Sequence, residues 1–567
     1  MQGSDTLLAD LDDDQRAVAV ALGGPVSVLA GAGAGKTRAL TYRIAYGVAT
    51  DAIAPKNAMV LTFTTKAAGE LRSRLAQLGA DGVNVRTFHS AALAQLNHFW
   101  HKLTGAPAPN VLDSKARTIA DAALRSKLTV DIATARDVAS LIEWRKVRML
   151  GLAELETEFT MGRRSAPGRL TAEQALDLMR GYETLLGERR QVDFEDVLLL
   201  TAGMLTDEVA IARDVQQQYR HFLVDEFQDV SPVQWELLRL WLGERDDLCV
   251  VGDASQTIYS FAGASPNYLL NFADHFPNAR EFRLERNYRS SAAIVDRANT
   301  LMRGRPGALR LTAVFPEGPA PEFVGYRNDL AEAEAVASHI EAVIAGGGTP
   351  DALAVLYRTN AQSEPIERAL RTRGISYRVR GGVAFFDRPE IRQALMQLRA
   401  EALASRPERP LFQVVSDVLW SLGWSTTAPE TGGAVRERWE SLNVLAHLAD
   451  TAAPGTSLVR FVDDLRQRAE YGTEPALGAV TLATIHSAKG LEWESVWVIG
   501  ASEGLLPLSY ATGFEAIDEE RRLAYVAFTR ARRELRVSWA ESGARGSQSV
   551  SRFVAESRSR SADAAPA

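Results

Sequence analysis

A lysine behind a run of small residues, Ala30-Gly31-Ala32-Gly33-Ala34-Gly35-Lys36-Thr37, is the first chemistry-bearing feature of the chain. It lies between an apolar segment, Val26 to Ala30, and a helical pattern from Thr37 to Ala45. That is the strand-loop-helix setting of a phosphate-binding loop, with Ala30 in place of the first glycine of the general pattern. Small residues let backbone N–H groups approach phosphate oxygens, and the following helix adds its N-terminal dipole. Lys36 neutralises the outer phosphates and the Thr37 hydroxyl is a ligand for Mg²⁺. Downstream, Phe222-Leu223-Val224-Asp225-Glu226-Phe227-Gln228-Asp229 puts two adjacent carboxylates at the end of an apolar strand. Asp225 would hold Mg²⁺, and Glu226 would orient and deprotonate an attacking water. In isolation an Asp-Glu pair is more often a solvated strand end; the phosphate loop upstream reverses that order.

These groups need a parallel sheet to hold them, and the chain has the pattern for two. Strand-like and helical segments alternate around the phosphate loop and again from about Arg283 (PEFVGY, LAVLY, VTLATIH, VWVIGA), with long helical stretches between. The reading is α/β: two tandem α/β domains, each interrupted by a helical insertion. The first domain takes 1–90 and 191–283 with an insertion at 91–190, and the second takes 284–387 and 478–545 with an insertion at 388–477. The Arg/Ser-rich end, 546–567, reads as a disordered tail. A length of 567 residues is too great for one core. A composition of 46% hydrophobic and 24% charged residues is that of a globular protein, and no stretch approaches the roughly 20 apolar residues of a membrane span. The acidic start, MQGSDTLLADLDDDQR, lacks a signal-peptide pattern, so a cytoplasmic location is expected. The single cysteine, Cys249 in LCVV, excludes an internal disulfide and a four-cysteine metal site. A formal charge of -7 decides nothing about a local basic groove.

Over residues 7 to 540 the order of motifs resembles the superfamily 1 DNA helicases of the UvrD/Rep/PcrA type. LDDDQRAV resembles the Q motif, which implies that Gln15 contacts the adenine edge; Arg38 is implied as a further nucleotide contact. Leu61-Thr62-Phe63-Thr64-Thr65-Lys66-Ala67-Ala68 and Thr87-Phe88-His89-Ser90 resemble motifs Ia and Ib, which hold single-stranded DNA. Val251 to Ala264 is similar to motif III, with Gln256 sensing the γ-phosphate and Tyr259 and Phe261 facing bases. Leu284-Glu285-Arg286-Asn287-Tyr288-Arg289-Ser290-Ser291 resembles motif IV, implying Tyr288 against adenine and Arg289 on the γ-phosphate. Thr484-Ile485-His486-Ser487-Ala488-Lys489-Gly490-Leu491-Glu492 resembles motif V, with Thr484 and His486 near DNA phosphates and Glu492 near the ribose. Glu519 to Ala531 is similar to motif VI and makes Arg530 a second arginine finger. The resemblance implies that the two fingers of the second motor domain close on ATP and Mg²⁺ held by the first. It also implies that Phe63, Phe194, Tyr259 and Phe261 form a stacking platform, that Thr64 and His89 touch phosphates, and that translocation runs 3′ to 5′. Tyr357 to Ser363 and Gly381 to Arg388 match segments of the second motor domain to which packing and DNA framing are assigned.

Two departures stand out. Where the family carries Trp-Arg-Gly-Ala, this chain has Phe261-Ala262-Gly263-Ala264, leaving a smaller ring and no arginine. The second insertion is also short for the family, so strand separation is expected to be weaker than translocation. The implied partners are single-stranded DNA, junctions with duplex, and repair proteins. Three other readings compete: a single-strand translocase that displaces bound proteins, a non-catalytic ATP-gated subunit, and a small-molecule kinase, which would leave motifs Ia, III, V and VI unexplained. Arg145, Lys146 and Arg148 read as a solvated helix face more readily than as a duplex contact.

Overall fold

The computed structural model describes residues 4–315, 317–380, 385–404, 409–429, 434–470, 478–543 and 546–558. Gly381 to Ala384, the end of the second insertion from 471 and the tail from 559 lie outside them. The chain divides into two compact units, Met1–Tyr288 with Gly304–Thr312, and Arg289–Arg303 with Ala313–Ala567.

The first unit is built on a sheet of β1 (Val26–Ala30), β2 (Ala58–Thr62), β3 (Asn84–Thr87), β4 (His221–Val224), β5 (Leu248–Gly252) and β6 (Arg280–Leu284), in the order β3-β2-β4-β5-β1-β6. Every pairing is parallel, as in Val26 opposite Cys249 and Met59 opposite Phe222. Such a sheet must be covered on both faces, which is why β1, β2 and β5 are buried along their whole length. Alternate residues feed two cores: Val26, Val28 and Val60 pack with Leu40, Ile44 and Leu71, while Leu29, Met59 and Leu61 pack with Phe88, Leu198 and Trp241. Cys249 is a buried strand residue, as its context implies.

The helical insertion has its own core, in which Ile119, Ile142, Leu155, Met179 and Tyr182 are buried. The helix Phe88–Thr104 does not belong to it: Phe88, Ala91, Ala92 and Phe99 pack on the sheet. Arg145 and Lys146 are not solvated either, since both are buried, Arg145 against Glu183 and Lys146 against Asp193 and Asp196. The hydrophobic period of that helix is weak because it is covered on several sides, and its charged partners lie too far along the chain to be read from local pattern.

The second unit repeats the scheme with β7 (Glu322–Tyr326), β8 (Leu353–Tyr357), β9 (Tyr377–Arg380), β10 (Val480–Thr484), β11 (Trp493–Val498) and β12 (Ala531–Ala540), ordered β7-β12-β11-β8-β10-β9 and parallel throughout. Its insertion, though short, closes a core of Ile391, Leu398, Leu419, Leu442, Leu445 and Leu465. Two boundaries differ from expectation. Residues 304–312 return to the first unit, where Leu311 is buried. The segment expected to be disordered carries structure within 546–558, where the helix Arg552–Arg558 buries Phe553 and Val554 and Glu556 pairs with Arg521.

Candidate functional site

In the first sheet the strands β4, β5 and β1 are neighbours, so the loops leaving their C-terminal ends share one edge. That edge is where α/β sheets bind ligands. From β1 comes the loop 31–35, which enters the helix Lys36–Ala49 through Gly35 in left-handed backbone, φ 77°. The left-handed backbone favours glycine at Gly35, and a Cβ there would lie 2.6 Å from Gln15 Nε2 and push that side chain aside. Gln15 is buried behind the loop and donates to the Ala34 carbonyl at 3.2 Å. Asn287, to which the sequence reading gave no role, donates to the Ala32 carbonyl at 2.7 Å, and Tyr288 N–H donates to the Gly33 carbonyl at 2.9 Å. The loop is thereby held from both sides, and within it the Gly31 and Ala34 amides donate to the carbonyls of Leu284 (3.1 Å) and Gly31 (3.2 Å). Arg38 is exposed, donates to the Asp10 carbonyl at 2.7 Å and lies over the Tyr42 ring; the Tyr288 hydroxyl is bonded to Asp12.

From β4 come the two carboxylates. Thr37 Oγ1 donates to Asp225 Oδ2 at 3.3 Å, and Lys36 Nζ is 3.5 Å from the Ala30 carbonyl. Burial, reinforced by the charge of Glu226 and opposed by Lys36, pushes the Asp225 carboxyl up to about 7. A hydroxyl and a buried carboxylate whose charge is disfavoured fit a divalent cation, which would relieve that cost. Glu226 is in left-handed backbone, φ 54°, and accepts from Gln228 Nε2 at 2.5 Å. Gln228 in turn accepts from Asp253 N–H at 2.9 Å, and Asp253 accepts from Gln256 Nε2 at 2.7 Å. A continuous hydrogen-bonded run therefore links Glu226, just after β4, to Gln256 after β5. Gln228 and Asp253 lie inside motifs legible in the sequence, but nothing in their type announced the link.

The candidate DNA residues leave the same sheet edge farther along. Phe63 and Thr64 follow β2, and His89 follows β3. Strands lie about 4.8 Å apart, so β2 is roughly 14 Å and β3 roughly 19 Å from β1, with β4 and β5 between. Thr64 caps the helix Thr65–Gln77 by accepting from Ala67 N–H at 3.1 Å. His89 stacks on Phe194, centroids 3.9 Å apart and planes 13° apart, which joins residues distant in sequence. Burial, then Lys115, lowers His89 to about 4, so its ring is neutral near pH 7. Phe194 and Phe261 are 52% and 57% exposed, and Tyr259 meets Phe261 edge-on at 6.1 Å. Large exposed rings at a sheet edge are available to stack on bases.

In the second unit Arg289, Glu492 and Arg530 come together at the N-terminal ends of β11 and β12. Arg289 pairs with Glu492 and donates to the Thr529 carbonyl at 3.2 Å. Arg530 is buried and donates to the carbonyls of Val526 (2.9 Å) and Leu491 (3.1 Å) and to the Thr529 hydroxyl (3.0 Å). Burial works against the Glu492 charge, but Arg289 and Arg532 outweigh it and hold the carboxyl below its usual range. Arg532 was missed by the sequence reading. At the other end of that sheet, after β10, Thr484 bonds the Ser487 hydroxyl at 2.9 Å, and burial with Arg358 and Lys489 lowers His486 to about 3. Arg358 also grips Glu520 (Nη2 to Oε1 2.7 Å), tying motif V to the helix Phe514–Phe528.

A parallel sheet with a phosphate loop on β1 and an acid pair on the second strand along defines a P-loop nucleotide-binding protein. Comparison with known families narrows this. The UvrD/REP helicase N-terminal domain matches residues 11–277, and the UvrD-like helicase C-terminal domain matches 282–406 and 433–542. The chain belongs to the UvrD-like helicase family, whose members have two RecA-like motor domains. It is 45% identical to the ATP-dependent DNA helicase UvrD2 of Mycobacterium tuberculosis, over 97% of this chain and 82% of that protein. It is 31% identical to DNA helicase II of Haemophilus influenzae (94% and 85%) and 29% identical to the ATP-dependent DNA helicase PcrA of Bacillus subtilis (98% and 86%). Among the described residues no helix is long and apolar enough to cross a membrane.

Proposed function

We propose that this chain is an ATP-dependent DNA helicase that moves 3′ to 5′ along single-stranded DNA and serves DNA repair or replication. The observation that carries the reading is the hydrogen-bonded run Glu226–Gln228–Asp253–Gln256, which joins the loops after β4 and β5, the two strands beside the phosphate-loop strand on its β2 side; the loop after β5 goes on to Tyr259 and Phe261. In this reading Gln256 senses the γ-phosphate at the end of that run, three and five residues before Tyr259 and Phe261, so a shift of Gln256 moves the segment that carries both rings.

In this reading the loop amides and Lys36 bind the triphosphate, Thr37 and Asp225 hold Mg²⁺, and Glu226 takes the proton of the attacking water. Mg²⁺ supplies neutralisation of charge on the phosphate oxygens. Arg289 and Arg530 act as arginine fingers, a role that contributes roughly 10³ to 10⁵ in rate, about 4 to 7 kcal/mol. Thr484, His486, Thr64 and His89 border the DNA backbone. Phe63, Phe194, Tyr259 and Phe261 stack on bases, each contact contributing about 1 to 3 kcal/mol whatever the base, so the track is independent of sequence.

The test is the ATPase rate with and without single-stranded DNA, run beside strand separation on duplexes with a 3′ or a 5′ tail. Stimulated hydrolysis with unwinding from the 3′ tail alone is the expected result. Stimulation without unwinding favours a translocase that needs a partner, the second reading suggested by the short insertion. Absence of stimulation would sink the motor.

A further inference from the structure

Three consecutive residues at the end of the helix Ile132–Val147 meet both turns that carry exposed aromatic rings. Lys146 Nζ lies 2.7 Å from Asp193 Oδ2 and 2.7 Å from Asp196 Oδ1, on either side of Phe194. Val147 and Arg148 pack on Gly263, two residues after Phe261. A Cβ at Gly263 would lie 2.5 Å from Val147 Cγ2 and 3.8 Å from Arg148 Cγ, and φ there is 91°. The helix end therefore sits against the Phe194 turn on one side and the Phe261 turn on the other.

Arg148 differs from its buried neighbours. It is exposed, and among the described residues it makes no salt bridge. Its guanidinium lies over the Trp144 ring at 5.2 Å, and that of Arg164 lies over the same ring at 4.0 Å. Burial, then the charge of Arg148, pulls Arg164 below the usual arginine range, so the two cations repel across one indole. The carboxylate in their field, Glu158, is bound to Arg163 by Nε at 3.0 Å and Nη2 at 2.7 Å. Two cations fixed beside each other, without a carboxylate between them, set up a site for an anion. Stacking on Trp144 also removes much of the rotamer freedom that an arginine loses on binding, so the guanidinium is preorganised.

We propose that Arg148 is a DNA phosphate contact, supplying from the helical insertion the cation that the motif III turn lacks at Ala262. The inference rests on the DNA-motor reading above. The backbone of a strand whose bases stack on Phe194 and Phe261 passes the helix end that braces both turns, and Arg148 is the exposed cation at that end.

The test is the affinity for an oligothymidylate measured over a series of salt concentrations. Arg148→Gln is compared with wild type and with Arg136→Gln, an exposed position near the other end of the same helix. The expected result for Arg148→Gln is binding weaker by about fivefold to tenfold near physiological salt and a log K against log salt slope shallower by about 0.7, with Arg136→Gln unchanged. Adding Ala262→Arg to Arg148→Gln should restore the slope; failure to do so would overturn the assignment of this cation to the motif III turn. An unchanged slope in Arg148→Gln, or an equal loss in Arg136→Gln, would overturn the contact itself. Wild-type protein that does not bind the oligonucleotide at all would instead remove the motor reading on which the contact depends.

Discussion

Glu226 occupies left-handed backbone at φ 54°, a conformation that costs a non-glycine residue on the order of 1 to 3 kcal/mol and persists where the surroundings over-determine it. Here the fixing groups are the Asp225 side chain, which accepts the Glu226 N–H at 3.0 Å, and Gln228, which bonds the carboxylate. The Glu226 carboxylate is held by Gln228 while that of Asp225 stays beside Thr37. Glu226→Gln keeps the shape and removes the carboxylate proposed as the base. ATP and DNA binding should persist while turnover falls by about 10² to 10⁴, the usual contribution of general base catalysis, measured by phosphate release against nucleotide and oligonucleotide titrations. Hydrolysis at near wild-type rate in that variant would contradict the assignment. Lys36, Asp225, Glu226 and Arg530 were legible because their motifs have fixed spacing. Asn287, Gln228 and Arg532 were not, because a buried amide or a strand-end arginine acquires its task only when the fold brings a partner to it.

At the scale of elements, the helix Ile132–Val147 braces the two aromatic turns, and a buried ion pair fixes its register. Burial works against the Asp193 charge, but Lys146 outweighs it and holds the carboxyl below its usual range; Tyr182 donates a further hydrogen bond at 3.0 Å. Removing one member of such a network strands the other. Lys146→Met should therefore destabilise the first unit by about 3 to 5 kcal/mol in denaturant unfolding, and Lys146→Met with Asp193→Asn should recover part of the loss. A cost under about 1 kcal/mol for the single variant would mean that the carboxylates find water or protons when Lys146 is gone. The sequence showed that 91–190 is helical and that two sheets are parallel, since period and length survive in a single chain. It did not show that Phe88–Thr104 packs on the sheet or that Arg145 and Lys146 are internal, because a charged residue on a helix reads as solvated until its partners, here some 40 to 50 residues away, are known.

At the scale of the whole molecule, the chain holds two units, each with its own sheet and cores, so heat should unfold it in more than one step. Lys146→Met tests one unit and Glu332 the other. Glu332 is buried in the second unit, where it accepts from Gly500 N–H at 3.1 Å and from the Ser538 hydroxyl. Burial pushes its carboxyl up to about 7, with Asp329 adding to the effect and the two hydrogen bonds opposing it. An acid whose folded pKa lies above its unfolded value near 4.5 binds its proton more tightly when folded. Stability is therefore lost as pH rises from about 4.5 to about 7 and levels off above, a total of about 3 kcal/mol. Glu332→Gln carries no charge to bury and lacks this dependence. In scanning calorimetry the melting temperature of Glu332→Gln relative to wild type should rise between pH 5 and pH 8, in the transition that Lys146→Met leaves in place. If both variants move the same transition, the two units unfold as one. If the difference between Glu332→Gln and wild type does not change with pH, the carboxylate is hydrated in the folded chain, and the cavity beside it between the sheet and its helical insertion is open to water.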